Sequence, residues 1–169
     1  SVRFGETLGL SGSDLLALRR GGVLHDIGKL GIPEQILLKP GGFTPDEWAV
    51  MKTHTIIGER LCSGLKSFRQ TVQIIRSHHE RWDGSGYPDG LHGEEIPLLA
   101  RVFQICDIYD ALSFARPYKP ALPTHEVVRI MRKEAERGWR DPALTNVFLD
   151  LVERERETFM VQGDMGEDL

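Results

Sequence analysis

The stretch LLALRRGGVLHDIGK, residues 15–29, decides how the rest of the chain is interpreted. Its leucines recur at helical spacing and Ser13 is a residue type that caps helices, so we predict a helix from Ser13 to about Ile27. His25 and Asp26 lie at the end of that helix. Adjacent side chains diverge by about 100° on a helix, but at a helix end both can reach one ion. The stretch therefore predicts an imidazole and a carboxylate delivered to one place.

Three further helical stretches carry a histidine or an aspartate on an apolar face. A capping threonine, a proline and a glutamate at residues 44, 45 and 47 predict the start of the first of these helices. The inward faces are, in chain order, Met51, His54, Gly58 and Leu61; Phe68, Val72, Ile75 and His79, with His78 one turn after Ile74; and Ala100, Phe103, Asp107 and Asp110. Both kinds of metal-binding side chain are thus predicted to face the interior.

The remaining segments complete an all-helical pattern. Residues 81–96 are rich in glycine and break the periodicity, which predicts a long loop of the kind that usually has a functional reason. No run of residues suggests a strand, and no interdomain linker is evident. We therefore expect one all-α helical bundle with long Gly-rich loops over residues 1–160, followed by an acidic tail at 161–169.

Composition narrows the class of protein. The 169 residues are 40% hydrophobic and 27% charged, with a formal net charge of -4, so neither DNA nor an anionic membrane surface is an expected partner. The sequence contains no apolar run long enough for a membrane span and no secretory signal pattern. Cys62 and Cys106 lie in apolar helical patterns and are expected to be buried thiols. A cytoplasmic location follows from these features.

Together, the histidines and aspartates on four helices predict a metal centre. A lone histidine on an apolar stripe is usually a core residue, but four imidazoles and two carboxylates buried without a cation would cost several kcal/mol in desolvation. The carboxylate of Asp26 has two oxygens with which to bridge two ions. Mixed imidazole and carboxylate ligation suits iron, manganese or zinc. Two such ions activate water and clamp a phosphate ester, so phosphoester hydrolysis is the predicted chemistry.

At these residues the sequence resembles a known family, the HD-GYP phosphodiesterases. The resemblance extends over residues 2–152 and rests on HDIGK at 25–29, His54, HHERWDGSGYP at 78–88, DIYDAL at 107–112 and RPYK at 116–119. It implies an HD-type helical bundle that hydrolyses the cyclic dinucleotide c-di-GMP to linear pGpG or on to GMP. It also implies two divalent metal ions, of which iron or manganese is expected first and zinc is an alternative.

The resemblance assigns roles residue by residue. One ion would be held by His25, Asp26 and Asp107, and the second by Asp26, His54, His78 and His79. Asp26 and Lys29 would be the catalytic residues, with Lys29 contacting the scissile phosphate. Arg116 and Lys119 would grip the dinucleotide phosphates. Tyr87 could stack on a base, meet a partner domain through the GYP loop, or pack that loop against the body of the protein. Glu80, Asp83 and Asp110 could orient the metal-bound histidines.

One departure and two alternatives remain at this point. Family members carry a further histidine on the helix before the HD pair, and those with three metals add a glutamate one turn earlier. Both would fall before Ser1, so the first helix is expected to be truncated. An upstream receiver or sensory domain is also expected. The alternatives are an HD phosphohydrolase for another nucleotide and a non-catalytic c-di-GMP sensor or interaction module.

Overall fold

A computed structural model describes residues 1–115 and 120–164 of the chain, with side chains described as far as residue 154. The α-helices are α1 (Val2–Thr7), α2 (Gly12–Leu24), α3 (Glu34–Leu37), α4 (Pro45–Lys52), α5 (His54–Cys62), α6 (Arg69–Ser77), α7 (Leu98–Ser113), α8 (Thr124–Glu136) and α9 (Pro142–Asp164). Short 3-10 helices span Ile27–Gly31, Lys66–Phe68 and Gly93–Glu95. Within the described residues there is no strand, and Asp83 and His92 form an isolated bridge. The all-α prediction is confirmed.

The hydrophobic core lies where α2, α6 and α7 pack together. Leu18, Ile74 and Val102 come from these three helices and are completely buried. The core continues through Phe4 of α1, whose ring meets the edge of Phe148 of α9 at 5.1 Å between centroids. Burying apolar side chains of this size stabilises the fold by about 1.5–3 kcal/mol each. The packed helices hold the polar ends of α2, α6 and α7 at fixed positions.

Helix α2 differs from its predicted bounds at both ends. Ser11, rather than Ser13, is the cap: its hydroxyl accepts a hydrogen bond from the backbone N–H of Asp14, and the Asp14 carboxylate accepts one from the backbone N–H of Ser11. This reciprocal pair satisfies two helix-end donors that Ser13 cannot reach. The helix ends at Leu24, and the chain tightens into a 3-10 helix after Asp26.

The predicted start at Thr44 is confirmed, because Thr44 and Glu47 form the expected capping box. The helix is interrupted at Thr53, however, so His54 begins a separate helix rather than continuing the first. That break ends the predicted stripe early: Met51 and Gly58 are buried, whereas Leu61 is 56% exposed. His78 and His79 likewise lie just beyond the end of α6 rather than on it. Each histidine therefore belongs to a helix end, where the backbone can aim it.

Candidate metal centre

The backbone around Gly28 brings the His25–Asp26 pair against the start of α5. His25 caps α2, with its backbone N–H donating to the Gly21 carbonyl at 2.8 Å. A Cβ atom added at Gly28 would lie 1.8 Å from the backbone oxygen of His54. Only glycine permits this close approach of two backbones. The HDIGK segment therefore positions Asp26 opposite His54 through direct backbone packing.

Six predicted side chains lie together at this end of the bundle. One ligand atom from each of Asp26, His54, His78 and His79 lies within 4.8 Å of the others. His25 joins them, with its Nε2 3.3 Å from Asp26 Oδ2 and 3.9 Å from Asp107 Oδ1. We call these six residues, His25, Asp26, His54, His78, His79 and Asp107, the metal cluster.

Two histidines have their tautomers fixed by backbone carbonyls. His54 Nδ1 donates to the Met51 carbonyl at 2.8 Å, and His78 Nδ1 donates to the Ile75 carbonyl at 2.9 Å. A carbonyl only accepts, so in the neutral rings the Nε2 atoms carry the free lone pairs. Both Nε2 atoms are buried and have no hydrogen-bond partner among the described residues. Such orphaned acceptors fit a cation, because an ion would satisfy them together with the carboxylates.

The electrostatics favour neutral imidazoles at His54, His78 and His79 and an ionised carboxylate at Asp26. Burial, and then the neighbouring His25 and His54, lower the pKa of His78 to about 3. Burial also lowers the pKa of His79 and of His54. Burial alone would raise the pKa of Asp26, but hydrogen bonds from His25 and Lys29 hold it well below its usual range. Neutral imidazole and ionised carboxylate are the forms that bind divalent metals.

His25 differs from the other imidazoles of the cluster in the direction in which its pKa is shifted. Burial opposes its protonation, but the hydrogen bond and charge of Asp26, and the charge of Asp107, outweigh burial and raise the pKa of His25. Lys29 also pairs with Asp26, with Nζ 2.6 Å from Oδ2. Lys29 therefore offsets part of the negative charge of Asp26, as a divalent ion would.

The Gly-rich loop covers one side of the cluster. Tyr87 stacks on the His79 ring at 4.8 Å between centroids and an interplanar angle of 25°, and its edge faces Trp48 at 5.9 Å. Burial raises the pKa of the Tyr87 phenol, as does the charge of Asp26. In this arrangement, Tyr87 packs the loop onto a histidine of the cluster.

Glu80 fixes the far end of the same loop. Its side chain is 0% exposed, and its carboxylate accepts the backbone N–H groups of Asp89 at 2.7 Å and Leu91 at 3.1 Å. Asp83 accepts the backbone N–H of Ser85. Glu80 therefore shapes the loop, and its hydrogen bonds go to backbone groups rather than to the imidazoles that it was expected to orient.

A polar cavity of about 330 Å³ opens beside the cluster. Its walls include His78, His79, Asp107 and Tyr87, Arg81 of the HHERWDGSGYP motif, and four side chains that the sequence did not single out: Trp48, Lys52, Gln104 and Arg140. These residues belong to no recognisable spacing and meet only in the folded chain. Arg116 and Lys119 lie outside the described residues.

Comparison with protein families supports this interpretation. Residues 1–144 match the HD domain family model. The chain is 39% identical over 166 residues to a cyclic di-GMP phosphodiesterase of Thermotoga maritima, covering 97% of this chain and 45% of the relative. It is 52% identical over 118 residues to the cyclic di-GMP phosphodiesterase response regulator RpfG of Xanthomonas campestris, covering 69% and 31%.

The fold is also found in a solved structure. A crystal structure of a cyclic GMP-AMP specific phosphodiesterase of Vibrio cholerae, V-cGAP3, superposes with a TM-score of 0.68 at 21% identity, over 92% of this chain and 42% of that one. The chain spans less than half the length of the curated relatives it matches. None of the described helices combines the length and apolar character that a membrane span needs. The family match and the relatives agree with the motifs and the helical bundle, and the chain belongs to the HD domain family, in its HD-GYP branch.

Proposed function

We propose that this chain is a metal-dependent phosphodiesterase that hydrolyses c-di-GMP to linear pGpG or on to GMP. The observation that carries the proposal is the metal cluster, whose buried Nε2 atoms on His54 and His78 lack partners in the described part of the chain. His78 also borders a cavity whose walls carry three cationic side chains, Lys52, Arg81 and Arg140. Cationic walls beside a metal centre suit a phosphate ester. Relatives named as cyclic di-GMP phosphodiesterases support the same substrate class.

Two divalent ions fit the donor set. One would be held by His25, Asp26 and Asp107 and the other by Asp26, His54, His78 and His79, with iron or manganese favoured over zinc. When bound, such ions lower the pKa of a water molecule and polarise the phosphate. Asp26 would hold both ions in one geometry. Lys29, which is 40% exposed and already directed at Asp26, would supply positive charge to a phosphate oxygen.

Further substrate contacts belong to the same proposal. Arg116 and Lys119 would bind the dinucleotide phosphates. Tyr87 would contribute by covering the cluster and by presenting its edge to a base or to a partner domain. The response-regulator relative supports an upstream receiver domain as the input. The free thiols of Cys62 and Cys106 and the nucleotide substrate agree with a reducing, cytoplasmic compartment.

A second substrate is supported by a specific finding. The chain is 41% identical over 126 residues to the 3'3'-cGAMP-specific phosphodiesterase 3 of Vibrio cholerae, covering 75% of this chain and 27% of the relative. Both cyclic dinucleotides carry the same pair of phosphodiesters and differ in one base. The cluster would therefore act on either, and the cavity wall would select the base.

The test is turnover of both cyclic dinucleotides by the protein loaded with manganese or ferrous iron, with products separated by chromatography and metal content measured on the same sample. We expect c-di-GMP to be consumed faster. His78→Gln should lose metal and activity, whereas the matched His125→Gln, at an exposed position on α8, should keep both. A metal-loaded wild-type protein that binds c-di-GMP without cleaving it would be a sensor, and the proposal would be wrong.

A further inference from the structure

One wall of the cavity contains two polar side chains that the proposed metal and phosphate ligands do not include. Gln104 comes from α7 and Arg140 from the segment before α9, and both line the cavity together with His78 and Asp107. Gln104 is only 3% exposed. Its side-chain Nε2 is buried and makes no hydrogen bond within the described residues. A buried amide donor without an acceptor is destabilising, so its place in a ligand cavity requires an explanation.

Arg140 likewise has a side-chain N–H donor without a hydrogen-bond acceptor among the described residues. Its side chain is 11% exposed, and its guanidinium contacts are a hydrogen bond to the Trp139 carbonyl at 3.1 Å and a long one to Gln104 Oε1 at 3.4 Å. Its Nε lies 3.3 Å from Glu134 Oε2 but forms no hydrogen bond with any described group. A guanidinium has five N–H donors. Arg140 therefore retains donor capacity inside the cavity.

Arg101, another partly buried arginine of the bundle, has the contacts expected of a structural residue. Its Nε donates to the Ile96 carbonyl at 3.0 Å, and its Nη1 donates to Asp141 Oδ2 at 2.9 Å. Both contacts have ordinary hydrogen-bond lengths. Asp141 in turn accepts the backbone N–H groups at the start of α9. Arg101 holds two segments together, whereas the contacts of Arg140 are longer and incomplete.

Besides Glu134, which pairs with Arg140, and Asp107 on the cavity wall, two further cations line the cavity and favour an anionic ligand. Arg81 lines the same cavity, with its guanidinium 4.1 Å from the centre of the Trp139 ring and a long hydrogen bond to Ser85. Lys52 adds a third cation to the cavity walls. Donors from Gln104 and positive charge from arginines match the non-bridging oxygens of a phosphate group.

We propose that Gln104 and Arg140, assisted by Arg81, form a binding site for a second phosphate group, the one that is not being cleaved. The inference rests on the proposed function, because a cyclic dinucleotide has two phosphodiesters and only one can occupy the metal cluster. The site is built from residues other than Lys29, Arg116 and Lys119. It would hold the substrate by its distal phosphate and so act on binding more than on bond cleavage.

Kinetics with two substrates test whether Gln104 and Arg140 act on substrate binding rather than on bond cleavage. Bis(p-nitrophenyl) phosphate has a single phosphodiester and cannot fill the second site. For Arg140→Met we expect KM for c-di-GMP to rise roughly tenfold or more, since a charge-assisted hydrogen bond is lost, and Gln104→Leu should raise it by a smaller factor of about three to ten. In both variants, hydrolysis of bis(p-nitrophenyl) phosphate should fall by a much smaller factor than hydrolysis of c-di-GMP. Arg140→Lys should restore part of the affinity.

The matched control is Arg137→Met. Arg137 lies over the same Trp139 ring at 5.4 Å, is exposed, and does not line the cavity, so its loss should leave both substrates unaffected. Equal losses on both substrates for Arg140→Met would assign Arg140 to the fold or to the scissile phosphate and would overturn the proposal. Unchanged KM for c-di-GMP would overturn it as well.

A direct binding measurement separates this inference from the proposed function. The zinc-loaded wild-type protein is titrated with inorganic phosphate while NMR follows the side-chain amide of Gln104 and the Nε–H of Arg140. We expect both signals to shift and saturate, and the Gln104 shift to disappear in Arg140→Met. If these shifts occur but c-di-GMP is not hydrolysed, the proposed function fails and the phosphate site stands. If c-di-GMP is hydrolysed but the signals do not move, the phosphate site is wrong and the function stands.

Discussion

His78 and Glu80 are two residues apart and both are nearly inaccessible to solvent. They differ in whether all of their polar side-chain atoms have hydrogen-bond partners. Both oxygens of Glu80 accept backbone N–H groups from the Gly-rich loop. His78 uses one ring nitrogen to hold its tautomer and leaves the other without a partner in the described residues. A buried polar group that is fully satisfied stabilises a conformation, while one left open needs a ligand. We call Glu80 and the loop backbone that it holds at Asp89 and Leu91 the loop framework. The difference separates the loop framework from the metal cluster within three consecutive positions.

The largest effect should come from the carboxylate shared by the proposed ions. Asp26→Asn removes the negative charge while keeping the shape of the side chain, and we expect turnover of c-di-GMP to fall by more than about 10³-fold, because both ions lose a ligand. Lys29→Ala removes one electrostatic contact and should cost about 10² to 10³-fold. Steady-state rates of the two variants, with metal content measured on the same samples, compare these two losses. Equal losses would show that Asp26 does not bridge the ions.

The next effect is that of metal removal, which should act on the cluster and spare the loop framework. An ion whose free concentration is about 1,000 times its Kd stabilises the folded chain that binds it by about 4 kcal/mol. Chelation should therefore lower the melting temperature, and manganese should restore it. Hydrogen exchange should show the amides of Asp89 and Leu91 equally protected with and without metal, because Glu80 rather than the ion holds them. If their protection falls with the metal, the two regions are one cooperative unit.

The comparison also shows what the sequence could reveal. The helical bundle was predictable from periodicity, and the six residues of the metal cluster were predictable because histidine and aspartate on apolar faces need a common partner. Glu80 was misjudged, since the backbone N–H donors that it accepts, those of Asp89 and Leu91, follow it in a segment without periodicity. Gln104 and Arg140 could not be found at all. Their significance depends on an uncompleted hydrogen-bond arrangement in three dimensions, which no spacing in the chain records.

Backbone packing beneath the cluster can be broken by a single methyl group. In Gly28→Ala the new Cβ would overlap the His54 carbonyl, and we expect a loss of about 3 kcal/mol in the free energy of unfolding, together with weaker metal binding as His54 is displaced. Gly22→Ala is the control. Gly22 is exposed within α2, and its nearest contact would be Phe103 at 3.9 Å, so the helix should gain about 0.5–1 kcal/mol.

Urea unfolding and metal titration measure both effects for the two glycine variants. We expect the free energy of unfolding to fall in Gly28→Ala and to rise in Gly22→Ala, with metal affinity reduced only in Gly28→Ala. Similar small changes in both variants would mean that the HDIGK segment shifts freely without disturbing the cluster. The close contact between Gly28 and His54 would then have no role in positioning the ligands.

The smallest effect is expected where the loop framework is altered and the cluster is left intact. Glu80→Gln keeps the size of the side chain but turns one acceptor oxygen into an NH₂ group that faces a backbone N–H donor. Because that donor is left without an acceptor, the free energy of unfolding should fall by about 1–3 kcal/mol. The matched change, Glu94→Gln, lies in the same loop at an exposed position and should alter stability by less than about 0.5 kcal/mol. Metal content should remain at the wild-type level in both variants, since the Glu80 carboxylate contacts the backbone of Asp89 and Leu91. Loss of metal in Glu80→Gln without loss of stability would assign Glu80 to the cluster after all, and the division between the satisfied and the open region would disappear.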